Sequence, residues 1–223
     1  MSNVILISGV PRSGTSLTAG IINLCGAWGG EMSGPNSFNQ KGMFENSQIR
    51  DKLTKPYLKS IGCDPMGQNP LPHIDHEMKL KFIREGKEWR AKVINILKSQ
   101  GLNGGTWFYK GAKMCLFWPL WDSAFPTAKW VIVRRKQEDI IRSCMKTPFM
   151  RAYDTTSGWM KWILHHEKRF IEIKRQCANV FEVWPDRAVK SDYSGMMEMI
   201  EYCGLSWDVK KVGEFISPEL WGQ

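Results

Sequence analysis

The stretch from Val4 to Leu17, VILISGVPRSGTSL, constrains the fold more than any other part of the sequence. It begins with a short apolar run that is rich in β-branched residues, which predicts a buried strand, and apolar residues at helical spacing follow from Thr15 to Cys25. The connecting loop contains Gly9 and Gly14. A strand that passes through a glycine loop directly into a helix is typical of α/β proteins that bind a phosphate group at the loop.

Strand and helix patterns alternate along the rest of the chain. After the first helix, the predicted elements are helices at Ser47–Ile61 and Asp75–Ser99, a strand at Thr106–Lys110, a helix at Leu116–Ala124, a strand at Lys129–Arg134, helices at Glu138–Met145 and Thr155–Cys177, a strand at Val180–Trp184 and a helix at Ser191–Cys203. This order indicates a central, mostly parallel sheet with helices on both faces, which is a three-layer α/β sandwich. We find no repeat or linker, so we expect a single domain over residues 1–223.

Composition excludes several classes of protein. The six cysteines lie far apart without metal-ligand spacing, so neither a metal site nor a disulfide framework is predicted. No apolar run approaches the roughly 20 residues of a membrane span, and the apolar run after Met1 has no basic leader, so we expect a cytoplasmic protein. The formal charge of +9 favours an anionic ligand. Nucleic acid is not expected, because no basic run is interleaved with aromatic residues.

The first loop, GVPRSGTS, has the spacing of a phosphate-binding loop but lacks one of its residues. The interval from Gly9 to Gly14 lets backbone N–H groups converge on an anion. A nucleoside triphosphate loop has a lysine where Thr15 stands, although Ser16 occupies the position of its Mg²⁺ ligand. Arg12 supplies a cation instead. The alternative is a P-loop kinase or nucleotide-binding protein that acts on ATP with magnesium, and the absent lysine counts against it.

A second candidate anion site lies in the stretch KWVIVRRKQEDIIRSC. Arg134 and Arg135 come at the carboxyl end of a predicted strand, where α/β sheets bind ligands, and Ser143 follows on the next helix. An arginine and a serine at this spacing can hold one phosphate from two sides. In isolation, the same residues are also compatible with an ordinary surface arginine pair.

Taken together, PRSGTS and VRRKQEDIIRS resemble the sulfotransferase family, whose members use 3′-phosphoadenosine-5′-phosphosulfate (PAPS). KGAKMCLFWPLW is similar to the KDPRLCLLLPLW stretch of bacterial sulfotransferases, and GMFEN is similar to their GYFE-type loop. The resemblance implies a P-loop NTPase-like sulfotransferase fold. It also implies transfer of a sulfuryl group from PAPS to a hydroxyl or amine of a small-molecule or glycan acceptor, which leaves 3′,5′-adenosine bisphosphate (PAP), without an essential metal.

The resemblance also assigns residues to the two ends of PAPS. The residues that match the family's 5′-phosphosulfate loop are Pro11, Arg12, Ser13, Gly14, Thr15 and Ser16. Arg135 and Ser143 match the 3′-phosphate element, and Arg135 is preferred over Arg134 because only Arg135 has Ser143 at the family's interval. A segment like the RKGxxGDW of cytosolic sulfotransferases does not occur in the sequence, which brings the chain closer to the bacterial type.

Family members use a histidine or a glutamate as the base that takes the acceptor's proton. No histidine follows the Thr106–Lys110 strand, so Glu45, in the loop that resembles the family's glutamate loop, is the candidate base. Arg12 and Lys110 are the candidate cations for the leaving group and the sulfonate, and Lys113 lies next to them. The competing interpretation is a surface glutamate and solvated lysines.

These patterns leave three classes of acceptor open: a carbohydrate, a small alcohol or phenol, and a peptide tyrosine. We expect three loops to wall the acceptor site, because loops are where related enzymes differ in substrate. These loops are Gly29–Asn46, Cys63–His73 and Thr147–Thr155.

Overall fold

Four parallel strands form the centre of the molecule. The structure, a computed structural model, describes residues 3–37 and 39–221. The strands are β1 (Val4–Gly9), β2 (Trp107–Lys110), β3 (Lys129–Val133) and β4 (Val180–Val183). They lie in the order β2-β1-β3-β4, and each neighbouring pair is parallel. The predicted mostly parallel sheet is therefore confirmed, and the first strand of the chain is one of its two central strands.

The strands read as continuous apolar runs because both faces of the sheet are covered. Alternate residues of β1 enter different cores: Leu6 packs on one face, whereas Ile5 and Ile7 pack on the other. In β3, Ile132 packs in the same core as Leu6, and Val131 packs in the same core as Ile5 and Ile7. Side chains that alternate between two buried faces leave no polar side of the sheet.

Nine α-helices of the described residues flank the sheet. Their bounds are α1 (Thr15–Leu24), α2 (Lys55–Ser60), α3 (His76–Ser99), α4 (Trp118–Ala124), α5 (Gln137–Lys146), α6 (Thr156–Gln176), α7 (Pro185–Val189), α8 (Ser194–Tyr202) and α9 (Val209–Phe215). Buried residues of α3 to α6 share the aromatic-rich core on one face, and those of α1, α8 and α9 share the smaller core on the other. The predicted three-layer sandwich is confirmed.

Two predicted helices differ from the structure at prolines. One helix was predicted over Ser47–Ile61, but the structure has a π-helical part at Ile49–Thr54 followed by α2. Pro56, in the first turn of α2, has no N–H to donate to the preceding turn. Similarly, a 3₁₀ turn at Ala112–Phe117 precedes α4, which has Pro119 in its first turn.

The carboxyl-terminal part contains elements that the sequence patterns did not predict. These are α7, α9 and a 3₁₀ turn at Pro218–Leu220. They bring the last described residues of the chain back to the loop that follows β1.

Candidate active site

A cavity of about 300 Å³ lies beside the carboxyl ends of β1, β2 and β3. The residues that line it just after these strands are Pro11, Arg12, Gly14, Thr15, Ser16, Ala112, Lys113 and Arg135, with Lys110 from the end of β2. Parallel α/β sheets bind their ligands at this edge because the loops there carry the variable side chains. The cavity therefore collects residues from both predicted phosphate-binding stretches.

The loop after β1 leads into an uncapped helix. Helix α1 begins at Thr15, and its N-cap residue Gly14 has φ 96° and makes no side-chain capping bond. The first intrahelical bond is donated by the Thr18 N–H to the Gly14 carbonyl over 3.1 Å. The amides before Thr18 have no acceptor within the helix, so this end of α1 presents hydrogen-bond donors and the positive end of the helix dipole.

Ser13 has a different place from its neighbours in this loop. Its side chain is fully buried, and its N–H donates to the Val10 carbonyl over 3.0 Å. A Cβ on Gly9 would lie 2.6 Å from the Ser13 Oγ and 2.7 Å from the Val133 carbonyl oxygen, so only glycine fits there. Ser13 thus closes the turn with its N–H, whereas Pro11, Arg12, Gly14, Thr15 and Ser16 line the cavity, and a contact of Ser13 with the 5′-phosphosulfate stays a prediction.

Arg12 joins the two predicted phosphate-binding stretches. Its Nε donates to the Ser143 Oγ over 2.8 Å, and its carbonyl accepts a 2.9 Å bond from Nη1 of Arg135. Ser143 is buried and is not among the described residues that line the cavity. Burial lowers the pKa of both guanidinium groups, yet arginine stays charged in proteins. Residues about 130 positions apart thereby form one cationic cluster at the cavity.

Arg134 lies outside this cluster. Its side chain forms ion pairs with Glu167 at 2.6 Å and with Glu182 at 3.7 Å. Successive residues at the end of a strand point in opposite directions, so Arg135 lines the cavity while Arg134 ties β3 to α6 and β4.

Glu45 and Lys110 are both buried and both line the cavity. Burial lowers the pKa of Lys110, and the nearby Glu45 carboxylate opposes this shift. Glu45 is positioned by its own loop, since its carbonyl accepts the Ser33 N–H over 2.9 Å. The Ser16 hydroxyl donates to the Met43 carbonyl over 3.3 Å and ties this loop to α1. A carboxylate and an ammonium group thus line the same cavity beside the predicted phosphate-binding loop.

The other walls come from the three loops that were expected to surround an acceptor. The lining residues from these loops are Ser37, Asn39, Gln40, Lys41, Gly42, Met43, Phe44, Glu45, Met66, Gln68, Thr147, Phe149 and Met150. Gln68 fastens two of the loops together: its Nε2 donates to the Phe149 carbonyl over 2.7 Å, and its Oε1 accepts the N–H groups of Arg151 and Ala152. The apolar side of the cavity is therefore held in a fixed shape.

Trp221 lines the cavity and was not among the site residues predicted from the sequence. Its ring lies 4.6 Å from the Arg135 guanidinium carbon, and a Cβ on Gly14 would come within 2.7 Å of the ring. Phe215 supports this segment through an edge-to-face contact with Phe44, with centroids 5.7 Å apart. The only signal in the sequence is a lone aromatic residue in the short polar stretch SPELWGQ.

The tryptophans that lie within recognisable patterns belong to the core instead. Trp118, Trp121 and Trp159 are buried in the aromatic core. His166 is buried in α6, where its ring packs on Trp162.

Within residues 3–37 and 39–221, no group of His, Cys, Asp and Glu side chains is arranged to hold a metal ion, and no helix is long and apolar enough to cross a membrane.

Several solved structures share this architecture. No protein-family model matches the sequence, and no curated protein matches it. The structure is similar to the sulfotransferase domain of the olefin synthase of Synechococcus PCC 7002, with a TM-score of 0.56, 13% identity, and coverage of 100% of this chain and 86% of that chain. It is also similar to the sulfotransferases STF1 of Mycobacterium tuberculosis H37Rv and STF9 of Mycobacterium avium.

The two mycobacterial proteins are as distant in sequence as the first. STF1 gives a TM-score of 0.53 and STF9 one of 0.55, each at 13% identity over 100% of this chain, and the matches cover 74% and 73% of those chains. At 13% sequence identity, the similarity shows a shared backbone fold. The chain therefore has the fold of bacterial sulfotransferases, and the resemblance predicted from its two phosphate-binding stretches is confirmed at the level of the fold.

Proposed function

We propose that this protein is a sulfotransferase that moves a sulfuryl group from PAPS to a hydroxyl, or an amine, of a small-molecule or glycan acceptor. The observation that carries the proposal is the contact of Arg12 with Ser143 and Arg135, beside the uncapped start of α1. PAPS has two separate anionic groups, a 5′-phosphosulfate and a 3′-phosphate. A cationic loop next to a second, strand-end arginine fits this pattern.

Different residues of the cavity are assigned to the two anionic groups of PAPS. The amides at the start of α1, with Arg12 and the hydroxyls of Thr15 and Ser16, would bind the 5′-phosphosulfate, and Arg135 would bind the 3′-phosphate. Ser143 was predicted to bind the 3′-phosphate with Arg135, but it is not among the described residues that line the cavity, so it would act as a positioning residue that holds the Arg12 guanidinium by its Nε. Donors that are fixed before the reaction stabilise charge that develops on the leaving phosphate.

The transfer itself needs a base and a cation at the sulfur. The acceptor oxygen attacks sulfur in line, a new O–S bond forms, and the bond from sulfur to the 5′-phosphate oxygen breaks. PAP leaves with the electron pair of the broken bond, and the acceptor's proton passes to Glu45. Lys110 would offset the negative charge of the sulfonate. Burial next to Glu45 keeps Lys110 where its ammonium group faces few competing waters.

The kinase alternative has less support. Thr15 occupies the position where a triphosphate loop has the lysine that reaches the β- and γ-phosphates. PAPS has no γ-phosphate, so it does not require that lysine. The predicted cytoplasmic location and the metal-free mechanism remain predictions.

Thermal unfolding with nucleotides tests the proposal directly. We expect PAP in EDTA to stabilise the protein selectively over AMP, because only PAP fills both anion sites. A ligand at about 100 times its Kd stabilises by roughly 2.7 kcal/mol, which is an easily measured shift. Stabilisation by ATP with Mg²⁺ alone would reject the proposal in favour of the kinase class.

A further inference from the structure

The cavity carries more positive charge than the proposed donor site uses. Of the described residues that line it, six are cationic and one is a carboxylate, Glu45. The cationic residues are Arg12, Lys41, Lys110, Lys113, Arg135 and Lys146. Charges of one sign in a concave site concentrate the field and attract ligands of the opposite sign.

Four of these cations already have a partner or an assigned role. Arg12 and Arg135 belong to the proposed PAPS site, and Lys110 is buried near Glu45. Lys41 donates to the Phe215 carbonyl and lies over the Phe215 ring. Lys113 and Lys146 remain, and neither ammonium group has an ion pair or a hydrogen bond with any described residue.

Lys113 lies against one of the expected acceptor walls. A Cβ on Gly67 would be 3.1 Å from Cγ of Lys113, so the stem of the lysine packs on the Cys63–His73 loop. The Gly67 carbonyl accepts the Trp162 indole N–H over 3.0 Å, which fixes the backbone of this loop. The position of the Lys113 stem is therefore determined by a rigid part of the molecule.

Lys146 adjoins a second acceptor wall. It is the last residue of α5, and Thr147, Phe149 and Met150 follow it along the cavity. Met66, on the loop next to Lys113, adds another apolar side chain and is 43% exposed. Two unpaired ammonium groups thus border a surface of methionine and phenylalanine.

We propose that Lys113 and Lys146 bind an anionic group of the acceptor, so that the acceptor is an amphipathic phenol or alcohol with an apolar body and a carboxylate. This inference rests on the proposed function, since it concerns the acceptor half of the same cavity. The apolar body lies on Met66 and Phe149, the carboxylate contacts the lysines, and the hydroxyl is directed towards Glu45. A site with few polar groups placed around an apolar surface orients its ligand in this way.

A matched pair of probes tests the inference. The carboxylate 3-(4-hydroxyphenyl)propionate and its primary amide have the same shape and differ by one charge. We expect the carboxylate to bind PAP-saturated protein at least about tenfold more tightly by titration calorimetry, because hydrogen bonds to charged groups are the stronger ones. The variants K113M and K146M should each reduce this preference, and the double variant should abolish it. K161M, which changes an exposed lysine on α6, is the control and should retain the preference.

Further measurements separate this inference from the proposed function. Failure of PAP to bind the wild-type protein rejects the proposed function, and the probe pair is then compared on the nucleotide-free protein, where the lysines still act. Equal binding of carboxylate and amide, or binding of neither, overturns the inference. A loss of PAP affinity of about tenfold or more in K113M or K146M also overturns it, because the lysines would then belong to the donor site.

Discussion

Arg12 shapes the site both through its backbone conformation and through its side chain. Its φ of 75° lies in the left-handed region, which turns the loop after β1 towards the cavity. Its carbonyl and its side chain then bind Arg135 and Ser143. Strain of this kind is usual where surrounding contacts determine the conformation, and it is frequent at functional sites.

At Arg135 we predict a selective loss of affinity. Replacement by alanine removes the proposed 3′-phosphate contact and the hydrogen bond to the Arg12 carbonyl, but it keeps the Arg12 side chain and the amides at the start of α1. Arg135→Ala should therefore weaken PAP binding by about tenfold to a hundredfold. AMP, which has no 3′-phosphate, should lose much less. Isothermal titration with both nucleotides measures the difference.

Arg134 provides the control for this prediction. Arg134→Ala removes ion pairs with Glu167 and Glu182 outside the cavity. It should lower thermal stability but leave PAP affinity unchanged. If Arg135→Ala weakens PAP and AMP by the same factor, the 3′-phosphate assignment is wrong.

At Glu45 we predict a loss of turnover without a loss of nucleotide binding. Glu45→Gln keeps the size of the side chain but removes the base, so PAP release from PAPS with any accepted acceptor should fall by about 10²–10⁴-fold. PAP affinity should stay within about twofold of the wild-type value. Glu31→Gln, in the same loop but exposed, should keep full turnover. Unchanged turnover in Glu45→Gln would exclude this residue as the base.

At the level of elements, the Gln68 side chain links two of the loops that line the cavity. It makes three hydrogen bonds with the Thr147–Thr155 loop and is 5% exposed. A buried amide that satisfies three backbone groups is costly to replace, because each group would lose its partner.

We predict that Gln68→Leu loosens both acceptor walls. The N–H groups of Arg151 and Ala152 lose their acceptor, so their hydrogen exchange should become faster, and the free energy of unfolding should fall by about 1–3 kcal/mol. Gln176→Leu changes an exposed glutamine and should leave both quantities nearly unchanged. Exchange at Arg151 and Ala152 that does not change would show that other contacts hold the loop.

The strands and the longer helices could be predicted because their residues satisfy local rules. The apolar runs of β1 and β3 need two covered faces, and Asp75 caps α3 by accepting the Met78 N–H over 2.8 Å. Helices α7 and α9 are five and seven residues long, too short for a clear apolar period. The π-helical bonding before α2 likewise has no pattern in the sequence that reveals it.

At the scale of the whole molecule, the site depends on strand order. Arg12 and Arg135 meet because β1 and β3 are neighbours, and a parallel sheet brings their carboxyl ends to one edge. That juxtaposition could be predicted from the two stretches and the α/β pattern. The place of Trp221 could not, because it depends on how the segment after α9 crosses the loop after β1, and no local signal determines such a path.

The buried core also makes stability depend on pH. His166 is 1% exposed, its Nδ1 lies 2.8 Å from the Trp162 carbonyl, and burial lowers its pKa to about 4. The unfolded chain binds this proton with a pKa of about 6.5. The stabilisation of the neutral ring is therefore complete above pH 6.5 and is lost progressively as the pH falls towards 4, by about 3 kcal/mol in total.

We predict that His166→Leu reduces the loss of stability at acidic pH. Urea unfolding between pH 7 and pH 4 should show a smaller decrease in stability for the variant than for the wild-type protein, even if the variant is less stable at pH 7. His73→Leu, which changes an exposed histidine, should keep the wild-type slope. An unchanged slope in His166→Leu would mean that other groups cause the acid destabilisation.

The position of Trp221 over Gly14 and Arg135 affects how the protein is best produced for assay. An affinity tag fused after this residue would begin beside the cavity and hinder access of the nucleotide. The amino end of β1 lies at the opposite edge of the parallel sheet, near the Cys203 carbonyl that accepts a 2.8 Å bond from Asn3. A tag at the amino end avoids the cavity, and a tag at the carboxyl end makes a failed binding assay uninformative.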